Sequence, residues 1–208
     1  MRLGLAFAAL ASLASTAPAS AHFQVLLPET ALLQGVRDDL TMTVAFSHPA
    51  AGGPTMAMGT PEALYMLKQR GDDVEAERVD LLQALTPIEF TGSDGTAAPA
   101  YHLTVPRSEV RSLGDYVFIL EPAPFFEASE DKYIQQYTKT IVNNGGVPGG
   151  WAEEVGLPAE ILPLDKPYAN WVGGVFRGVV LANGAPVPFA EIEVEHINFA
   201  YNDDKTGW

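Results

Sequence analysis

Leu40-Thr41-Met42-Thr43-Val44-Ala45-Phe46-Ser47-His48-Pro49 decides the fold class of this chain. Leu40, Met42, Val44 and Phe46 alternate with Thr41, Thr43, Ala45 and Ser47. Successive side chains of a strand point to opposite faces of a sheet, so a period of two marks a strand with one buried face. His48 continues the core-facing row at its last position, and Pro49, which cannot donate to a ladder, stops it. A Gly/Pro-rich loop over residues 50–54 follows and leads into Met56-Ala57-Met58.

Working outward, Phe23-Gln24-Val25-Leu26-Leu27 reads as a short strand ended by Pro28. Further strands are expected at 63–67, 88–90, 101–105 and 116–120; the last is apolar on both faces and should be central. From 122 to 171 the pattern loosens into an acidic-aromatic stretch at 125–133, a strand-like run ending at Val142, and the loop 143–150. Residues 175–181 and 187–197 flank Asn183-Gly184, the dipeptide of a type I′ hairpin turn. In the second of these segments Ala190, Ile192 and Val194 form a row that ends at His196, opposite the solvated face of Glu191, Glu193 and Glu195.

The pattern G-x-V-x-x-x-G-x-P-V-x-x-A-x-I-x-V from Gly178 to Val194 resembles the opening hairpin of transthyretin-like or carboxypeptidase-regulatory-like sandwiches. A lone hairpin is marginal. It therefore packs on the first unit or begins one that the chain does not complete, and the second is expected. The expected organisation is a signal peptide at 1–21, an immunoglobulin-like β-sandwich at 22–122, an irregular connection at 123–172, and a partial second β-sandwich at 173–208.

Composition narrows the function. Apolar residues make up 47% and charged residues 18% of 208, which suits a globular chain with a sizeable core. The formal charge is −14. Such a surface repels phosphate backbones, so nucleic acid is not an expected partner. There is no cysteine, hence no disulfide, thiolate zinc site or cysteine nucleophile. Gly-rich phosphate loops and G-x-S-x-G are absent too, and no catalytic triad is legible.

The N-terminus predicts export. Arg2 begins a short positive region, residues 3–14 form an Ala/Leu-rich run too short to span a bilayer comfortably, and Ala19-Ser20-Ala21 fits the A-x-A cleavage rule. Cleavage after Ala21 exposes His22 and leaves a periplasmic protein not embedded in the membrane. It also leaves 11 basic and 26 acidic residues, a balance of −15. An α-amine titrates near pH 7.7–8, so a metal can displace its proton at neutral pH. The amine and ring Nδ1 of a terminal histidine then chelate one ion, and any residue added before His22 abolishes the chelate.

Other candidate ligands follow from position. His48 sits at a strand end eight residues before Met56, and Met56 and Met58 lie on one side of an extended segment. Thioethers suit copper(I), whereas imidazole and amine nitrogens suit copper(II) and nickel(II). His196 ranks behind His22 and His48. His102 alternates away from Tyr101, Leu103 and Val105, toward solvent. Each of these residues also has an ordinary reading, the histidines as hydrogen-bonded strand residues and the methionines as core filler.

Several blocks together carry a family resemblance. They are A-H-F-Q-V-L-L-P from Ala21, F-S-H-P-x-x-G-G-P-x-M-x-M from Phe46 to Met58, G-D-Y-V-F at 114–118, E-P-A-P-F-F-E at 121–127, D-K-Y-I at 131–134, Thr138-Lys139, and G-W-A-E-E-V-G-L-P-A-E-I-L-P-L at 150–164. This resembles the periplasmic domain-of-unknown-function proteins once described as the NikM nickel-transport subunit, found beside energy-coupling-factor importers. Phe125-Phe126-Glu127 stands where such proteins often carry Tyr-Trp-Glu. The resemblance implies a non-enzymatic accessory protein that captures nickel or cobalt for a membrane importer, with His22, His48, Met56 and Met58 as ligands or site lining. The rivals are a copper-binding protein with an N-terminal histidine brace, either chaperone or oxidative enzyme, and an envelope domain without metal.

Overall fold

The computed structural model describes residues 23–35, 38–47, 55–68, 76–92, 94–128, 131–171, 173–192 and 194. Residues 1–22, which hold the expected signal peptide, and the C-terminal residues 195–208 therefore lie outside the described residues. In chain order the strands are β1 (Phe23–Pro28), β2 (Leu32–Leu33), β3 (Leu40–Ser47), β4 (Ala63–Lys68), β5 (Glu77–Asp80), β6 (Leu85–Thr91) and β7 (Ala97–Val105). They continue as β8 (Gly114–Glu121), β9 (Phe125–Glu127), β10 (Lys132–Ile134), β11 (Thr138–Asn144), β12 (Ala159–Pro163), β13 (Gly178–Ala182) and β14 (Ala185–Pro186).

Two sheets make an all-β sandwich: β1-β3-β7-β6, and β2-β11-β8-β4-β5. The alternation in β3 does what its period requires, since Leu40, Met42 and Val44 are buried. They meet Leu26, Leu103 and Val105 of their own sheet and Leu64, Met66, Phe118, Leu120 and Val142 of the other. Ala45 and Ala100 are buried on the opposite face of the first sheet, with Val25. Central β8 is buried on both faces: Val117 and Ile119 pack with Leu157, Trp151 and Val155 from the segment after β11. That segment is tied down by the buried Asp115, whose carboxylate accepts from Asn143 Nδ2 at 2.6 Å, from Trp151 N at 3.2 Å and from Gly149 N.

Two expectations are corrected. Thr138–Asn144, expected inside an irregular connection, is a full strand paired with β8 from Thr138↔Leu120 to Asn144↔Gly114. Pro28 ends β1 as its last residue, still paired with Met42, which an edge strand allows because its outward side needs no donor. The C-terminal hairpin has its expected turn, with Asn183 at φ 48° and Gly184 at φ 74° closing the Ala182↔Ala185 pair. Among the described residues its return strand, however, is only Ala185–Pro186. Pro186 and Pro188 lack N–H groups and Phe189 turns the backbone at φ 58°, so the ladder fails and Ile192 and Val194 are exposed. The third strand of this sheet comes instead from β12, which lines β13 from Ala159↔Ala182 to Pro163↔Gly178.

Gly184→Ala places a Cβ on a left-handed residue and should cost about 1–2 kcal/mol. A drop in the chemical-denaturation midpoint of Gly184→Ala, with Asn183→Gly nearly neutral, is the expected pattern. Equal stability of all three proteins would mean that the turn bears no strain.

Candidate functional site

Strands β1 and β3 meet at one end of the sandwich. The β1–β3 ladder begins at Phe23↔Ser47, and the chain returns to the same place at Met56, whose N–H donates to Phe46 O at 2.8 Å. Ser47 and Thr55 hydroxyls hydrogen-bond at 3.1 Å in a buried position that fixes this return. Phe46 meets Phe125 edge-on, ring centroids 5.4 Å apart. The β9–β10 hairpin therefore leans on this end, carrying an exposed aromatic pair, Phe126 and Tyr133, with centroids 5.1 Å apart.

The expected ligands fare differently. Met56 is half-buried at the rim. Met58, only two residues on, donates its N–H to Pro99 O and joins the main core, 8% exposed, where its thioether fills space. His102 is half-buried on the first sheet between Thr43 and Thr86, not turned out to solvent. His22, His48 and His196 lie outside the described residues. Among the described residues no three His, Asp or Glu side chains are grouped to hold a metal.

Strand β1 is secured on its outward side by side chains. Gln24 N donates to Gln136 Oε1 at 2.8 Å, and Gln24 Nε2 donates to Gln136 O at 3.0 Å. Thr138 and Thr140 hydroxyls of β11 donate to the carbonyls of Gln24 and Leu26, each at 2.9 Å. The start of β1 is thus held between a ladder and a side-chain seam.

Sequence reasoning did not single out the ion pair beside this seam. Lys139 Nζ donates to Glu160 Oε2 at 2.7 Å, with the two side chains 9% and 1% exposed. Glu160 also accepts from the amides of Val155 and Gly156. Burial alone would raise its titration, but Lys139 and these amides outweigh it and hold the carboxyl below the ordinary glutamate range. The partners are 21 residues apart on different sheets, and in a chain with 26 acidic residues no spacing marks the pair.

Fold and composition define an all-β sandwich protein with candidate chemistry at one strand end. The family comparison makes this specific. The chain belongs to the family described as a domain of unknown function, DUF4198, whose model matches residues 19–208. No match was found among curated proteins or solved structures.

Proposed function

We propose that this chain is an exported, periplasmic accessory protein that captures nickel or cobalt through His22 and His48 and passes the ion to a membrane importer. The observation that supports the reading is the Phe23↔Ser47 pair at the end of the β1–β3 ladder. His22 precedes Phe23 and His48 follows Ser47. One peptide unit from each paired position limits the separation of the two histidine Cα atoms to about 13 Å. Two imidazoles can bridge that span through one ion. Cleavage after Ala21 would add the α-amine of His22, giving a nitrogen-rich set suited to nickel(II), with Met56 at the rim as a soft outer neighbour. Met58 contributes packing. A carrier must release its cargo, which favours a site at a chain end.

A second reading has its own observation. The exposed Phe126–Tyr133 pair stands on the hairpin that leans on Phe46, and an N-terminal-histidine copper enzyme acting on polysaccharide would need such an aromatic surface.

Calorimetric titration of nickel, cobalt and copper into protein beginning at His22 tests both. One-to-one nickel or cobalt binding is expected, weakened on the order of 100-fold by one alanine added before His22, since one chelating nitrogen contributes a few kcal/mol. His48→Ala should weaken binding similarly. Equal affinity in the extended protein moves the site elsewhere. Copper preference with ascorbate-driven peroxide production favours the oxidative reading, and absence of binding favours an envelope domain without metal.

A further inference from the structure

Between β11 and β12 the molecule holds a cleft of about 540 Å³, within the size range of sites for small organic molecules. Its walls are mostly apolar, formed by Phe23, Ile141, Leu157, Ile161 and Phe176, and Lys139 and Glu160 line it as well. An ammonium group carries three N–H donors. The sole hydrogen-bond partner of Lys139 among the described residues is Glu160, so two donors on a side chain nine-tenths buried have no protein acceptor. Glu160 is differently placed: its carboxylate already accepts from Lys139, Val155 and Gly156. The cleft thus offers spare donors and little spare acceptor capacity.

We propose that this cleft binds a small, uncharged, largely apolar molecule through a carbonyl-type oxygen that accepts a hydrogen bond from Lys139 Nζ. Charge selects for neutrality. A ligand anion would meet the Glu160 carboxylate and a chain of formal charge −14, and a cation would meet Lys139. A neutral acceptor meets neither penalty. It replaces water on the ammonium with an equivalent bond while its body covers the apolar walls. The ion pair is the specificity element: its two charges cancel, yet it leaves directional N–H groups pointing from a buried position. This inference is independent of the metal reading, because it uses no histidine.

Three single-ring probes separate the terms: acetophenone has the carbonyl, ethylbenzene lacks it, and 4-acetylbenzoate adds a negative charge. Each is titrated into the folded protein while backbone amide resonances are followed by NMR. Acetophenone should shift the amides of 137–141 and 159–162 saturably, with a Kd at least about tenfold below those of the other two, the discrimination worth about 1.4 kcal/mol that one good hydrogen bond supplies. Phe176→Ala should weaken all three ligands. The double variant Lys139→Met/Glu160→Gln should erase the preference for acetophenone over ethylbenzene. No saturable shift, shifts confined to other parts of the chain, equal binding of the three, or tighter binding of the anion would each overturn the proposal. If the double variant lacks a cooperative melt, the three-probe comparison on the unmodified protein decides alone.

Discussion

Phe118→Ala is expected to destabilise the protein by about 3–5 kcal/mol, enough to remove much of the 5–15 kcal/mol that a domain ordinarily has. Phe118 is fully buried in the middle of β8 and paired on both sides, to Met66 in β4 and Thr140 in β11. Its ring lies between the two sheets, among the residues that join them. Truncation leaves a cavity that the close-packed sheets can only partly collapse into. Urea unfolding followed by far-UV circular dichroism should show a lower midpoint, with Phe118→Leu intermediate. An unfolding free energy within about 1 kcal/mol of the parent would mean that this layer is not the main core.

Lys139→Met should be comparably severe at neutral pH, about 3–5 kcal/mol, because it strands the Glu160 charge in a buried site. The pH dependence separates this cause from lost packing. A carboxyl held below its ordinary range contributes stability above the unfolded glutamate value, and that stability is lost as pH falls through the lowered value. The parent should therefore lose stability on acidification below about pH 4.3. In Lys139→Met the same carboxyl lacks its cation, so protonation relieves a penalty and the gap to the parent should narrow toward pH 4. Lys139→Met/Glu160→Met should recover most of the loss, as apolar replacement of a buried pair is often neutral. A gap that does not change with pH, together with no recovery in the double variant, would assign the effect to packing.

How far the sequence could be read depended on how each strand is buried. Period-two alternation exposed β3, and an apolar run on both faces marked β8 as central, because burial acts directly on those side chains. Asn183-Gly184 announced its turn through backbone sterics alone. Strand β11 showed only as a strand-like run inside a loose connection, because Thr138 and Thr140 use their hydroxyls on β1 carbonyls and their polarity blurred the paired strand. Strand β12 begins after Pro158 and ends at Pro163, a spacing that reads as a loop until β13 supplies its partner. At the candidate site, Met56 and Met58 share a parity but part ways, since the bridge to Phe46 keeps one at the rim while the bond to Pro99 draws the other inward. The Lys139–Glu160 pair depends on two sheets meeting, which no local pattern encodes.

The seam along β1 has a consequence for colloidal behaviour. An edge strand with open carbonyls is a template onto which another chain can add, the first step toward edge-to-edge aggregates. In β1 the carbonyls of Gln24 and Leu26 are occupied by the hydroxyls of Thr138 and Thr140, and Gln24 N by the side chain of Gln136. These three polar side chains occupy three of the outward backbone groups without adding a strand. An acidic protein with a long apolar β1 is thereby protected from polymerising along that edge, at concentrations where net charge alone would offer only long-range repulsion.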